Sequence, residues 1–197
     1  MKKLILTFVL AIVAGVAAIA QQISVVSAGG TTNIYSTQQE ALEGASANSV
    51  IYLPGGGFPI PDSVKITKKL TIIGIGHKIK GENADGYTTI TGNLFFNEGS
   101  DGSAVLGAYM TGSVEIGQNG KVDNVLIRYC NLDHVSVHNN TCMGTVVNQN
   151  YIRNTSYFYG ARCDFTNNIA HAVSNLDNGY IENNIITSYC NSAYEYA

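Results

Sequence analysis

The sequence predicts an all-β solenoid, a single-stranded parallel β-helix with a short N-terminal capping helix, and three observations lead there. Residues that sustain exposed helices are scarce: 13% of the 197 residues are charged, while 21 are Gly and 20 are Asn, and both types disfavour helix interiors. Beyond residue 88, short apolar strands are separated by Gly, Asn and Asp, with no amphipathic stretch longer than two helical turns. Finally, an Asn followed by a large apolar residue recurs at Asn131-Leu132, Asn150-Tyr151, Asn168-Ile169 and Asn184-Ile185, at separations of 19, 18 and 16 residues. A repeat of that length made of short strands describes coils stacked about 4.8 Å apart, each burying its apolar side chains against its neighbours. An antiparallel sandwich would instead place hairpin turns every 8 to 12 residues or about that.

Taken in order, residues 1–20 read as a secretory signal peptide. Lys2-Lys3 precedes an apolar run from Leu4 to Ala20 that ends in Ala18-Ile19-Ala20, an A-x-A cleavage pattern. A transmembrane anchor is the alternative, because the run approaches the length of a span. No Cys stands at the cleavage point, so a lipid anchor is not expected. The domain is then 21–197, in a secreted, periplasmic or cell-surface setting of bacterial type. The sequons Asn139-Asn140-Thr141 and Asn154-Thr155-Ser156 matter only in a glycosylating eukaryotic pathway.

The stretch Ser36 to Asn48 is expected to be the capping helix, with Ser36 and Gln39 at capping-box spacing and Ala41, Leu42 and Ala45 on one face. Ser49 to Leu53 is a short buried strand stopped by Pro54 and Gly55-Gly56-Gly57, and Ser63 to Gly74 offers Val64, Ile66, Leu70, Ile72 and Ile73 to the interior. Further strands are expected at Thr89–Ile90, Leu94–Phe96, Ala104–Ala108, Ser113–Ile116 and Val125–Arg128. Aligning the last coils on the recurrent Asn puts Val147, Phe165 and Ile181 in one column, joined by Ile127 after a one-residue insertion, and Leu132, Tyr151, Ile169 and Ile185 in another. The Asn itself is expected to be a structural device, since its side chain tolerates left-handed backbone and bonds to the turn it sits in. About 20 residues per coil gives about seven coils.

The opening helix, then Ser49-Val-Ile-Tyr-Leu-Pro-Gly, then Val64-Lys-Ile-Thr-Lys-Lys-Leu-Thr-Ile-Ile-Gly74, resemble the pectin-lyase-like family of right-handed parallel β-helices over most of residues 36 to 191. That resemblance implies a right-handed coil, with the helix as a lid over its first turn. A lid is also required physically, because an open solenoid end exposes unpaired backbone and apolar side chains. The other end shows no counterpart: Ile185-Ile186 still belongs to a coil, and the chain ends at Tyr194-Glu195-Tyr196-Ala197. A truncated reading frame or a segment of a longer protein is expected there, with a natural stop on a minimal aromatic cap as the alternative.

Function is less constrained than fold. A net charge of −3 and a pI near 5.7 give no electrostatic footprint for nucleic acid. Cys130, Cys142, Cys163 and Cys190 are spaced 12, 21 and 27 apart, which matches no zinc framework, so they are read as small interior residues, with a disulfide between coils as the lesser alternative. Lyases of the resembled family imply a basic side chain acting as proton acceptor and Ca²⁺ held by carboxylates. Here Asp123, Asp133, Asp164 and Asp177 fall in different alignment columns, and no adjacent Asp pair exists for hydrolase chemistry.

The segment Asn131-Leu-Asp-His-Val-Ser-Val-His138 is similar to the D-H-x-S stretch of some pectate lyases. The Asn alignment also puts His134, Arg153, His171 and Thr187 in one column, so Asp133, His134, Arg153 and His171 are the candidate ligand-binding residues. His134, Arg153 and His171 are the candidates for catalysis, and a solvated polar face is the alternative. The Tyr crowding the last third, Tyr151, Tyr157 and Tyr159 among them, could fill coils or stack on sugar. The missing carboxylate cluster and low charge favour a non-catalytic glycan-binding or cell-surface structural module over a lyase or hydrolase of acidic, pectin-like polysaccharide, in which case Ca²⁺ is the expected cofactor. No cofactor is expected otherwise, and no membrane span in the mature chain.

Overall fold

A computed structural model describes residues 22–77, 86–159, 161–176 and 179–191; the expected signal peptide, Asp177 and the terminal Tyr194 and Tyr196 lie outside them. The chain winds as a right-handed parallel β-helix whose coils contribute to three stacks of strands. The first stack runs through Ser49–Leu53, Leu70–Gly76, Ala104–Met110, Leu126–Arg128, Met143–Asn148, Arg162–Thr166 and Tyr180–Glu182, paired in parallel throughout. The second runs from Gly56–Pro59 through Thr88–Thr91 and Asn131–Leu132 to Ile185–Ile186. The third runs from Lys65–Ile66 through Leu94–Phe96, Val114–Ile116 and Val135–Val137 to Cys190–Asn191. Tyr151–Tyr157 and Ile169–Ser174 serve both later stacks, one end each. The whole makes about six turns, against the seven expected from length.

Inward residues stacked rung on rung build the core. Ile51, Ile72, Val105, Ile127, Val147, Phe165 and Ile181 lie in register down the first stack, all but the last with relative exposure at or below 2%. The column of Ile127, Val147, Phe165 and Ile181 is the one expected from the repeat. Of the inward candidates in the first coils, Val64, Ile66, Leu70 and Ile72 are buried, whereas Ile73 faces outward, because adjacent positions of a strand point to opposite sides. Cys130, Cys142 and Cys163 are free and buried as small interior residues.

The N-terminal end is closed more thoroughly than by a helix alone. Strand β1 (Ile23–Val26) pairs antiparallel with β2 (Thr32–Tyr35) and, on its other edge, with β3 (Ser49–Leu53), which opens the first stack. Neither β1 nor β2 was anticipated. Helix α1 (Gln38–Gly44) then turns Ala41 and Leu42 onto the coil interior. Its cap is one residue later than expected: the Thr37 hydroxyl accepts from the Glu40 amide at 3.2 Å, and the Glu40 carboxylate accepts from the Thr37 amide at 3.2 Å. Among the described residues, no helix is long and apolar enough to cross a membrane.

The bend between the first and second stacks is held by an amide ladder. The Asn150 side-chain oxygen accepts from the Cys130 amide at 2.9 Å, and its NH₂ donates to Ile127 O at 3.0 Å and to Asn168 Oδ1 at 3.1 Å. Asn168 repeats the pattern one coil on, donating to Val147 O at 2.8 Å and to Asn184 Oδ1 at 3.2 Å, and Asn184 donates to Phe165 O at 2.7 Å. The residue before each rung is left-handed, with φ of 57° at Gln149, 56° at Asn167 and 54° at Asn183. In the coil above, Cys130 occupies the ladder position, and Asn131 pairs with Tyr151 instead. The expected membership of Asn131 is thus displaced by one residue, and Leu132 lies over Ile152 rather than Tyr151. The displacement follows from the longer coil above the bend, which carries one residue more than the alignment allowed.

Two substitutions separate the ladder from the bend. Asn168→Ala leaves the buried Asn150 amide and Val147 carbonyl without side-chain partners and is expected to cost about 3 kcal/mol. Asn183→Gly relieves a left-handed backbone and is expected to change stability by less than about 0.5 kcal/mol. Urea unfolding followed by far-ultraviolet circular dichroism measures both.

Candidate functional site

The site lies on the outer face of the third stack, where strand alternation assigns each side chain. Val135 and Val137 point inward and are fully buried, so His134, Ser136 and His138 share the outer face. One rung above, Val114 and Ile116 point inward and Glu115 outward, directly over Ser136. One rung below, Ser136 is in register with Tyr157. Stacked parallel register therefore brings residues about 20 positions apart in the chain into contact.

Glu115 is the centre of the cluster. Its side chain is 11% exposed, and the Ser113 hydroxyl and the Nε2 atoms of two imidazoles converge on it. His138 Nε2 donates to Oε2 at 2.5 Å, His134 Nε2 lies 3.3 Å from Oε1, and Ser113 Oγ donates to the same Oε1. Burial alone would raise this carboxyl, but the hydrogen bonds from His134, Ser113 and His138 outweigh it and hold the pKa at about 2. His134 is gripped from both sides, with Nδ1 at 2.8 Å from Asp133 Oδ2. The bond to Glu115 raises its pKa, burial opposes, and Asp133 adds to the rise. When protonated, His134 donates from both ring nitrogens to these two carboxylates. Asp133 is held in turn by Asn154 Nδ2 at 2.7 Å, and Ser113 by Asn93, whose Oδ1 accepts from the Ser113 amide at 2.9 Å.

Beside this network stand three aromatic rings in line. His138 and Tyr159 are near-parallel, with centroids 5.6 Å apart and planes at 18°, and Tyr159 and Tyr157 follow at 6.0 Å and 29°. Tyr159 is 48% exposed and sits at φ 44°, a left-handed backbone that costs a bulky residue roughly 1–2 kcal/mol. The ring is thus held outward against a backbone preference. Gln118 Nε2 lies 3.4 Å from His138 Nε2 at the edge of the ledge.

The structure places the four candidate residues differently from the expected row. Asp133 and His134 belong to the cluster just described. Arg153 turns back toward earlier coils, donating to Asn131 Oδ1 at 2.6 Å and Met110 O at 2.7 Å, with its guanidinium carbon 5.0 Å from the Tyr109 ring centroid. His171 is exposed, apart from the cluster. His134 is out of step by one residue, because Asn131 pairs with Tyr151, whereas Arg153 and His171 each follow the paired residues Ile152 and Ala170. Glu115, Ser113 and His138 were not among the expected site residues. Their signal was the outward half of two alternating strands, Ser113-Val-Glu115-Ile and His134-Val-Ser-Val-His138, set 21 residues apart at Glu115 and Ser136.

A second exposed surface lies on the second stack, where Tyr151, Ile169 and Ile185 follow in register with exposures of 42%, 44% and 61%. Among the described residues, no group of three His, Cys, Asp or Glu is arranged to hold a metal ion.

The network has a pH signature. Glu115, lowered from 4.5 to about 2, contributes stability that is fully present above pH 4.5 and is lost as pH falls toward 2. His134, raised above 6.5, stabilises it fully below 6.5 and loses that contribution as pH rises through the raised value. Urea midpoints are expected to peak between pH 4.5 and 6.5, and Glu115→Gln is expected to lower the peak and flatten both limbs.

Compared with protein-family models, curated proteins and solved structures, the chain matches none of them.

Proposed function

We propose that this chain is an exported, non-catalytic β-helix that binds glycan, or builds a glycan-contacting surface at the cell exterior, with its pectin-lyase-like resemblance confined to architecture. The observation that carries the reading is the line of His138, Tyr159 and Tyr157 rings standing beside a fixed polar network. The half-exposed Tyr159 ring next to hydrogen-bonding groups suits sugars, whose C–H faces stack on rings while hydroxyls bond at the edge. Left-handed strain at Tyr159 fits a site where geometry serves binding at some cost in stability.

The chemistry of the network supports binding over turnover. A carboxylate with a pKa of about 2 is too weak a base at neutral pH, and efficient proton abstraction calls for a group poised near the working pH. His134 has its two nitrogens engaged by Glu115 and Asp133. Arg153, the residue type that lyases of the resembled family use as base, is engaged with Met110 O and Asn131.

Two measurements test the proposal. Tyr159→Ala is expected to weaken binding to a recognised oligosaccharide about tenfold, read by calorimetry. The mature protein is expected to release neither unsaturated nor reducing ends from polyuronides or neutral polysaccharides, with or without Ca²⁺. Turnover abolished by replacing His134 or Glu115 would instead establish the lyase or hydrolase reading.

A further inference from the structure

We infer that the ledge on the third stack selects uncharged glycans, neutral hexose or N-acetylhexosamine chains, and disfavours polyuronides. This rests on the glycan-binding reading above and adds to it the class of sugar.

The reason is that the donors gathered beside the rings are already engaged with carboxylates of the protein itself. Glu115 takes the Ser113 hydroxyl and the Nε2 atoms of His134 and His138. Asp133 takes His134 Nδ1 and Asn154 Nδ2. A uronate carboxylate arriving at the ledge would meet two fixed carboxylates whose neighbouring imidazoles, among the described residues, are already committed to them.

The nearest lysine on this face is Lys65, two rungs above Glu115, and its ammonium lies 3.1 Å from the Phe95 ring centroid. That ring is one rung above Glu115 but three above Tyr157, roughly 14 Å from the tyrosine ledge and beyond the screening length of about 8 Å at physiological salt. Arg153 is committed to Met110 O and Asn131. What the ledge does offer is ring faces, the phenol groups of Tyr157 and Tyr159, and the Gln118 amide, which match hydroxyls, acetamides and C–H faces.

The test is calorimetric titration of the mature protein with gluco-, xylo-, N-acetylchito- and galacturono-oligosaccharides of equal length, at about 20 mM and 500 mM salt. Tyr159→Ala is run in parallel with Tyr159→Asn, which removes the ring while keeping a residue that tolerates left-handed backbone, so that loss of binding is not confused with loss of fold. The expected result is binding to a neutral oligosaccharide that both variants weaken. The galacturonate oligomer is expected to bind at least about tenfold more weakly, with affinity that rises as salt screens the repulsion. Binding that depends on Tyr159 but is tighter for galacturonate, and weakened by salt, would overturn this inference and leave the glycan-binding reading intact. Absence of Tyr159-dependent binding across the whole panel would overturn both.

Discussion

Everything in this molecule depends on parallel register between successive coils. A strand of two to seven residues has no stability alone, and each gains it from backbone hydrogen bonds to the rungs above and below and from one or two inward side chains stacked on their equivalents. Because outward residues alternate with inward ones, the register that aligns Val114 with Val135 necessarily aligns Glu115 with Ser136. The core and the candidate site are thus two faces of one constraint. A slip by one residue would turn Glu115 into the interior and Val114 outward, a double penalty of a buried charge and an exposed apolar chain.

The Asn150, Asn168 and Asn184 ladder enforces that register where the strands are too short to do so. Each amide donates to a backbone carbonyl and accepts from the coil above, which satisfies buried polar groups at a bend that strand pairing cannot reach. Above the ladder, Cys130 takes the same place, and its buried thiol, pushed up to about 11 by burial, stays neutral in the interior.

The same geometry explains what could be read from the chain and what could not. Periodicity is a property of the sequence, so the solenoid, the helical lid and the column of Ile127, Val147, Phe165 and Ile181 were readable. The phase of one coil against another depends on turn lengths, and a single residue at Cys130-Asn131 moved Asn131 out of the ladder and broke the expected alignment of His134 with Arg153 and His171. Strand parity hid Glu115 for the same reason: a lone carboxylate in Ser113-Val-Glu-Ile116 has no meaning until the rung carrying His134 and His138 is placed beneath it. The β1 and β2 pair was missed because Ile23–Val26 and Thr32–Tyr35 pair antiparallel, outside the repeat on which the alignment was built.

The proposed binding surface is the outward face of the third stack, where the Tyr157 and Tyr159 rings follow from His138 beside Glu115. The most direct test is a ¹⁵N and aromatic ¹³C chemical-shift titration with a neutral oligosaccharide. The account predicts shifts concentrated at His138, Tyr157, Tyr159 and Gln118, leaving Tyr151, Ile169 and Ile185 unmoved. Shifts confined to those last three, or none at any saturating concentration, would contradict it.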